Sequence, residues 1–423
     1  MSGTHAWPAP SADGGVEATV RPPSSKSLMA RALVIAALSD GPSTVHRPLV
    51  ARDSLLMAGA LHALGVRVDT PEDGPWHVVP GWSDAPATID CGLSGTVMRF
   101  VPPLAALTSA SVRLDGDPAA RRRPMRPLLD ALTALKIDLD PHDATGLPFT
   151  IHGTGSVSGG RVTVDARASS QVVSGLLLAA CRFDQGLSLR TSSSPPSAPH
   201  IEMTVGMLRQ VGIDVTTRPG EWTVEPGVPT GREHVIEPDL SNAAPFLAAA
   251  VVTGGRVHVP GWPTRSLQPG RELLDVLGTF GAQAVQAEDG LVVTGPSRAH
   301  GAGRLDMSSI SEIVPTVAAI AALADSPTEI VGVGHIRGHE TDRLAALARS
   351  LRALGGDTTE TPDGLRITPG PLHGGVVASE GDHRMATFGA ILGLRVPGVV
   401  VDDVSVTAKT MPEFPRLWQD MLS

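Results

Sequence analysis

Lysine is rare in this 423-residue chain, and two of its three lysines lie in segments whose residue types suit chemistry. Lys26 is part of Pro23-Ser24-Ser25-Lys26-Ser27, and Lys409 is part of Thr407-Ala408-Lys409-Thr410-Met411-Pro412, each where a loop meets a predicted helix. A lysine ammonium is a compact charge that can give up a proton, whereas an arginine guanidinium stays charged. The two lysines therefore indicate chemistry on an anionic substrate.

Other polar residues that suit anion binding recur at the starts of predicted helices. In chain order they are Lys26, Ser27, Arg31, Gly95, Thr96, Arg99, Ser169, Ser170, Gln171, Glu312, Asp382, His383 and Arg384. A helix N-terminus presents unpaired N–H groups and a partial positive charge, both of which attract anions. Each residue alone also fits a helix cap or a solvated face. Their recurrence at the start of one predicted helix after another favours a binding site.

Two further segments contain candidate residues. One is His339-Glu340-Thr341-Asp342-Arg343, which also fits a helix cap followed by a first-turn acid. The other is Arg121-Arg122-Arg123, a run more often found in a solvated loop, although Pro124 restricts Arg123 to an extended backbone. Together with Glu312, this inventory of cations, hydroxyls and two acids fits addition and elimination on a phosphorylated, carboxylated small molecule without a cofactor.

Several other chemistries lack their sequence signatures. No phosphate-binding loop of the G-x-x-x-x-G-K-[ST] type and no G-x-G-x-x-G fingerprint is present, and the histidines show no paired ligand spacing, so no metal site is expected. Cys91 and Cys181 match no ligand spacing, which predicts two reduced, buried cysteines. Tyrosine is absent and aromatic residues make up only 3%, which argues against a stacking platform for single-stranded nucleic acid.

Composition and length predict a soluble protein of two domains. The net charge is -9 and 42% of the residues are hydrophobic, which is typical of an acidic protein with a large core. The N-terminus does not resemble a secretion signal, and the longest apolar runs are shorter than a membrane span. We therefore expect a cytoplasmic location.

An internal repeat organises the chain. Amphipathic helices ending in similar segments, the first at Leu61–Val66, recur at steps of 71, 76, 69 and 74 residues. A more hydrophobic helix is predicted once per repeat, after Ser27, Ser94, Ser170, Ser241, Ser311 and Asp382, all N-cap residue types. The sequence thus predicts six α/β repeats of about 70 residues, three per domain, whose buried helices point their N-termini at an interdomain cleft.

The domain boundary is predicted at the Pro- and Gly-rich segment 225–231, which follows the third repeat. The sixth repeat ends without a closing strand, and we expect the residues before Val20 to supply it. The prediction is a first domain of residues 19–232 and a second domain of residues 1–18 and 233–423, closed by the N-terminal strand.

Seven motifs, in this order, resemble those of the 5-enolpyruvylshikimate-3-phosphate (EPSP) synthase family. They are Ser25-Lys26-Ser27 with Arg31-Ala32-Leu33, Ser94-Gly95-Thr96-Val97-Met98-Arg99, Arg123-Pro124, Ser169-Ser170-Gln171, Glu340-Thr341-Asp342-Arg343-Leu344, Asp382-His383-Arg384-Met385-Ala386 and Lys409-Thr410. The resemblance implies a two-domain enolpyruvyl-transferase-like α/β fold. It also implies transfer of the enolpyruvyl group of phosphoenolpyruvate to the 5-hydroxyl of shikimate 3-phosphate, without cofactor or metal, by a monomer that binds neither nucleic acid nor membrane.

The resemblance also implies roles for individual residues. The residues expected to bind shikimate 3-phosphate are Lys26, Ser27, Arg31, Ser169, Ser170, Gln171, Ser197, Glu312, His335 and His339. Those expected to bind phosphoenolpyruvate are Lys26, Gly95, Arg123, Gln171, Arg343, Arg384 and Lys409. As catalytic residues, Glu312 would accept the hydroxyl proton, Glu340 would protonate the methylene carbon, and Lys26 would stabilise the phosphate.

The chain departs from the family pattern at several positions, and two other functions stay open. Ser24 stands where glycine is usual, Ala30 where asparagine is common, and Glu312 where aspartate is frequent. His335 and His339 replace a frequent asparagine and a frequent lysine. The alternatives are the sister transferase that acts on UDP-N-acetylglucosamine, which uses a reactive cysteine, and a catalytically silent anion-binding paralogue.

Overall fold

The computed structural model describes residues 6–167, 169–193, 195 and 197–423. The chain divides into two compact units. We refer to Ser24–Ile236 as the first lobe, and to the segment up to Pro23 together with Glu237–Ser423 as the second lobe. The first five residues of the predicted second domain lie outside the described residues.

Helices are interspersed with groups of one to three strands along the chain. As far as the end of the first lobe they are β1 (Trp7–Pro8), β2 (Glu17–Thr19), α1 (Lys26–Leu38), β3 (Ser43–His46), α2 (Arg52–Ala63), β4 (Arg67–Asp69), β5 (Trp76–Val79), β6 (Ala87–Asp90), α3 (Gly95–Ala105), β7 (Ser111–Asp115), α4 (Pro118–Arg121), α5 (Arg126–Ala134), β8 (Asp138–Asp140), β9 (Phe149–His152), β10 (Gly160–Val164), α6 (Ser170–Ala180), β11 (Leu187–Thr191), α7 (Ala198–Gln210), β12 (Val215–Arg218), β13 (Glu221–Val224) and β14 (Glu233–Val235).

The rest of the second lobe continues the same pattern. Its elements are α8 (Leu240–Thr253), β15 (Arg256–Pro260), α9 (Gly270–Thr279), β16 (Gln283–Ala287), β17 (Gly290–Thr294), β18 (Gly303–Asp306), α10 (Val314–Leu323), β19 (Thr328–Val331), α11 (Arg343–Ala353), β20 (Asp357–Thr361), β21 (Gly364–Thr368), β22 (Gly375–Val377), α12 (His383–Gly393), β23 (Val399–Val401) and α13 (Phe414–Leu422). Three short 3₁₀ helices, Ser311–Ile313, Gly334–Gly338 and Val404–Lys409, lie between them.

In the described part of the chain the strands form six small sheets, one per repeat. Five sheets have four strands and the sixth, β1-β23-β22, has three. In the third repeat, β10 pairs in parallel with β11, and β13 joins β11 to β12 by antiparallel pairing. The fifth repeat, β18-β19-β21-β20, has the same arrangement. The predicted α/β architecture of six repeats, three per lobe, is confirmed.

Strand pairing places the lobe boundaries a few residues after the predicted ones. Thr19, predicted in the first domain, pairs with His258 in the parallel pair of β2 and β15 and so belongs to the second lobe. Glu233–Val235, predicted in the second domain, pairs with β3 of the first lobe. The breaks fall after Pro23 and Ile236 because a short strand belongs to the sheet that it completes. In the sixth repeat, β1 pairs antiparallel with β23.

Each repeat has one helix that is buried nearly all round: α1, α3 and α6 in the first lobe, and α8, α10 and α12 in the second. In α10, all residues from Val314 to Ala322 are buried. The helices α1, α6 and α8 begin one or two residues before the predicted positions, because Ser25, Ser169 and Asp239 are the caps. Lys26 and Ser170 therefore lie in first helical turns, where N–H groups are unpaired.

Close helix packing brings α3 and α6 together. A Cβ at Gly175 of α6 would clash with the backbone carbonyl of Arg99 in α3, so only glycine permits this approach. The contact places the first turn of α6 beside the first turn of α3. None of the helices in the described ranges combines the length and apolar character needed to span a lipid bilayer.

Candidate active site

Gly95, Arg123 and Gln171 lie together in the first lobe. Gly95 begins α3, Gln171 lies in the first turn of α6, and Arg123 follows α4. A Cβ on Gly95 would lie 2.8 Å from Oε1 of Gln171 and 3.1 Å from Nη1 of Arg123. The bare Cα of Gly95 thus gives room to the two side chains, and the structure brings together three residues predicted to bind phosphoenolpyruvate.

Arg99, a predicted helix-start residue that was assigned to neither substrate, supports this group from inside α3. Its Nη1 donates to the carbonyl of Gly95 at 3.2 Å and to Oε1 of Gln171 at 3.4 Å, and its Nη2 donates to the carbonyl of Pro124 at 3.3 Å. A guanidinium only donates, so the Gln171 amide presents its NH₂ group to the other side. Burial, with a contribution from Arg123, lowers the pKa of Arg99 to about 9.

Lys26 forms an ion pair that its sequence neighbourhood does not reveal. The Oγ of Ser25 caps α1 by accepting from the N–H of Leu28, which fixes the first helical turn. The Nζ of Lys26 lies 3.6 Å from Oδ2 of Asp53, a buried acid in the first turn of α2. Asp53 orients the ammonium. The only sequence signal for Asp53 was its position as a first-turn acid.

Arg31 is buried, with 1% of its surface exposed. It donates to Oγ1 of Thr204 at 2.8 Å, to Oγ of Ser174 at 3.3 Å, and to the carbonyls of Ser27 and His200, both at 2.9 Å. These bonds join α1 to α6 and α7. They give Arg31 a cross-linking role within the lobe, and its contact with shikimate 3-phosphate stays a prediction.

We expect Arg31→Met to lower the free energy of unfolding by on the order of 3 kcal/mol, because several buried polar groups lose their donor. Urea unfolding of the ligand-free protein measures this, with the exposed Arg161→Met as the control. An unchanged unfolding midpoint combined with a raised KM for shikimate 3-phosphate would assign Arg31 to the substrate instead.

The serines predicted to bind the substrate phosphate lie at helix starts. The Oγ of Ser169 caps α6 by accepting from the N–H of Gln171 at 3.2 Å, and Ser170 is the first residue of that helix. Ser197 precedes α7 in a left-handed backbone conformation, with φ of 52°. Ser27 lies in the first turn of α1. Hydroxyls and N–H groups at such positions suit an oxyanion.

In the second lobe, Glu340 lies among cations and donors. Its Oε1 is 2.6 Å from Nζ of Lys409, and its Oε2 is 3.0 Å from Nδ1 of His383. Nη2 of Arg343 lies 3.7 Å from the same Oε2. Burial would raise the pKa of Glu340, but Lys409, His383 and Arg343 outweigh it and hold that pKa well below its ordinary value. Glu340 is therefore a carboxylate hydrogen-bonded to an ammonium.

Arg343 is fixed by Asp382, a fully buried acid. Its Nε and Nη2 donate to the two Asp382 oxygens at 2.7 and 3.2 Å, and its Nη1 lies 3.0 Å from Nδ1 of His339. Burial opposes the charge, but Asp382 and Glu340 raise the pKa of Arg343. Asp382 also caps α12 by accepting from the N–H of Arg384 at 2.9 Å.

The carboxylates of Glu340 and Asp382 and the imidazole of His383 have ligand atoms within 4.8 Å of one another, a grouping that can bind a cation. Here Lys409 and Arg343 supply the positive charge. Sequence reasoning placed Asp382 and His383 at a helix start but gave them no role, because their partners lie in other motifs.

The remaining predicted residues lie around this cluster. His335 approaches Oγ of the buried Ser311 with Nε2 at 2.8 Å, and Glu312 is the next residue of that 3₁₀ helix. The charge of Glu312 acts on His335, His339 and Arg343. Arg384 donates from Nη2 to Oγ of Ser241 at 3.1 Å.

Both cysteines are buried in surroundings that keep their thiols protonated and therefore unreactive. Burial, followed by Asp90 and Asp115, raises the pKa of Cys91 to about 12, and burial likewise raises the pKa of Cys181 to about 12. A thiol needs its thiolate form to act as a nucleophile. A chemistry that depends on a reactive cysteine therefore has no candidate here.

We accordingly expect neither thiol to react with iodoacetamide at pH 8 while the protein is folded, and both to react in urea. Intact-protein mass spectrometry over several hours counts the labels. Rapid labelling of one cysteine in the folded protein would contradict the burial argument.

Comparison with known proteins agrees with the motifs. The profile of the family described as EPSP synthase (3-phosphoshikimate 1-carboxyvinyltransferase) matches residues 11–418. A 3-phosphoshikimate 1-carboxyvinyltransferase of Kocuria rhizophila is 53% identical over 98% of this chain and 96% of its own length.

Two solved structures share the fold. The EPSP synthase of Acinetobacter baumannii superposes with a TM-score of 0.81 at 24% identity, over 98% of this chain and 97% of that one. The enolpyruvyl transferase NikO of Streptomyces tendae gives 0.78 at 16% identity, over 99% and 98% of the two chains. The family profile and the full-length relative show that this chain belongs to the EPSP synthase family, the 3-phosphoshikimate 1-carboxyvinyltransferases, as its motifs indicated.

Proposed function

We propose that this chain transfers the enolpyruvyl group of phosphoenolpyruvate to the 5-hydroxyl of shikimate 3-phosphate and releases phosphate, a step of aromatic amino acid biosynthesis. The observation that carries the proposed chemistry is the 2.6 Å hydrogen bond between Lys409 and Glu340. Through it the ammonium of Lys409 can pass a proton to the Glu340 carboxylate, which can then protonate the methylene carbon.

The reaction proceeds by addition and then elimination. Glu312 accepts the proton of the 5-hydroxyl, the oxygen bonds to C2 of the enolpyruvate, and C3 gains a proton that Lys409 supplies through Glu340. In the second step C3 returns a proton to Glu340, the bond from C2 to the phosphate oxygen breaks, and phosphate leaves. Lys26 stabilises the charge on that phosphate. Protons balance over the two steps: the one added to C3 is removed from it again, and Glu312 passes the hydroxyl proton to the departing phosphate or to solvent.

Residues of the first lobe bind the substrate anions. Arg123 and the NH₂ group of Gln171 donate to phosphoenolpyruvate, and Gly95 leaves room for it. Ser169, Ser170 and Ser197 bind the phosphate of shikimate 3-phosphate, and Ser27 and Gln171 contact the rest of that substrate. Bidentate donors suit carboxylate and phosphate oxygens, which favours arginine at position 123.

Residues of the second lobe bind the same two substrates. Arg343, Arg384 and Lys409 contact phosphoenolpyruvate, while His335 and His339 contact shikimate 3-phosphate. Nε and Nη2 of Arg343 donate to Asp382, so Nη1, which lies beside His339, is the nitrogen best placed to contact a ligand as well. Asp382 thereby aims the guanidinium.

The test is phosphate release by the purified protein with shikimate 3-phosphate and phosphoenolpyruvate together, against each alone, with the product identified by mass. Release only with both substrates supports the proposal. Release with UDP-N-acetylglucosamine in place of shikimate 3-phosphate would assign the sister activity, and no release with either acceptor would indicate a silent anion-binding protein.

We expect Gly95→Ala to raise the KM for phosphoenolpyruvate about tenfold, because the added methyl group crowds Gln171 and Arg123 and overpacking costs about 1–3 kcal/mol. Steady-state kinetics with the second substrate saturating measures it. The control is Gly59→Ala, in α2, where a Cβ meets nothing within 4 Å. An equal KM in both variants would remove Gly95 from the binding site.

We further propose a cytoplasmic monomer. Both cysteines are free, which is usual for proteins of a reducing compartment. Light scattering coupled to size exclusion and fractionation of the source cells test the two statements separately. A mass twice that of the 43.7 kDa chain would contradict the first.

A further inference from the structure

The contact between Arg343 and His339 determines where the proton of His339 lies. Nη1 of Arg343 is 3.0 Å from Nδ1 of His339. A guanidinium has donors only, so Nδ1 must present its lone pair. The ring proton is then on Nε2. A doubly protonated ring would set one N–H against another between two cations, so this contact requires a neutral imidazole.

Arg343 cannot easily turn away from His339. Its other two nitrogens, Nε and Nη2, donate to the Asp382 oxygens at 2.7 and 3.2 Å, and the Asp382 side chain is completely buried. Glu340 lies on the same side at 3.7 Å. Removing a guanidinium from such partners leaves buried charges unpaired, which costs several kcal/mol. Burial and then Arg343 hold the pKa of His339 well below its usual value.

The neutral ring matters because of Glu312. The groups whose charges act on His339 are Arg343, Glu312, His335 and Glu340. His335 packs edge to face on the ring, with centroids 5.8 Å apart. Electrostatic coupling is reciprocal, so a positive charge on residue 339 would favour the carboxylate form of Glu312 and weaken it as a proton acceptor. A neutral ring avoids this.

We propose that His339 works as an uncharged hydrogen-bond donor, with its proton on Nε2, and that this state preserves the strength of Glu312 as the proton acceptor. Nε2–H donates to an oxygen of the acceptor substrate, and Arg343 is the positioning residue that keeps the opposite nitrogen unprotonated. The inference rests on the proposed function, in which Glu312 takes the hydroxyl proton.

Nitrogen NMR of the full-length protein labelled at its histidines tests the tautomer directly. The signals that disappear in His339→Gln identify the residue. We expect a protonated Nε2 and a bare Nδ1, both unchanged when the pH is lowered from 8 to 5.5. A protonated Nδ1, or a titration within this range, would overturn the proposal.

Kinetics test the consequence for Glu312. His339→Lys places a positive charge near Glu312, so the acid limb of kcat/KM for shikimate 3-phosphate should move to lower pH by about one unit. His339→Gln has a neutral N–H₂ donor at a similar distance, and its acid limb should stay where the wild type has it, whatever its rate. An unmoved limb in the lysine variant, or an equal shift in both variants, would overturn the proposal.

The NMR and the kinetic measurements can fail independently, so they distinguish an error in the protonation of His339 from an error in the proposed function. A protein that transfers no enolpyruvyl group gives no rate to follow, and the proposed function then fails. The NMR experiment still decides the protonation of His339, because it needs neither substrate nor turnover.

Discussion

Glu340→Gln should lower kcat by about 100-fold or more, the scale for losing one general acid, while binding of shikimate 3-phosphate persists. The amide preserves the size of the side chain and an oxygen that can accept from His383, but it cannot take a proton from Lys409 and pass it to C3. It also removes the charge that pairs with Lys409 at 2.6 Å.

The measurements for Glu340→Gln are the pre-steady-state rate of phosphate release and the Kd of shikimate 3-phosphate by calorimetry. The control is Glu288→Gln, an exposed acid in the same lobe, which should retain the wild-type rate. Parallel loss of rate and of binding would make Glu340 a structural residue instead of the proton donor.

Lys409→Arg should lose activity by a similar factor, of order 100-fold, even though the positive charge is kept. Lys409 donates a short hydrogen bond to Glu340, and both groups are partly buried. A guanidinium is wider than an ammonium and does not release its proton at working pH, so it can neither fit the same contact nor recharge Glu340.

The third lysine provides the matched control for this substitution. Lys136 is exposed and lies outside both groups of candidate residues, so Lys136→Arg should leave kcat and KM unchanged. Turnover by Lys409→Arg at more than about half the wild-type rate would show that position 409 needs only a positive charge.

Much of the architecture could be predicted from the sequence because it is repeated and local. Apolar periodicity indicated the six buried helices, and cap residues located their starts to within one or two positions. The predictions were less accurate where competing caps adjoin, as at Ser25 and Ser27, since either hydroxyl can accept from the first turn. Pairings of short strands such as β2 and β14 join distant segments and leave little local signal.

The candidate site was predictable by residue type but not by partner. The motifs located Glu340 and Arg343 in one segment and Lys409 in another, and nothing in those segments indicated that Glu340 and Lys409 share a hydrogen bond across 69 positions. Arg99 was located at a helix start without its partners, and Asp53 was missed because a first-turn acid is common in helices.

The sequence by itself determined the family, the repeat and the set of acids and cations, because motif order and apolar spacing are properties of the linear chain. Only the tertiary structure decided which charges neutralise one another. Asp382 holds Arg343, Lys409 holds Glu340, and Arg343 requires a lone pair on His339. These pairings set the protonation of each group, and they depend on distances of a few ångströms, in two of the three cases between residues of different repeats.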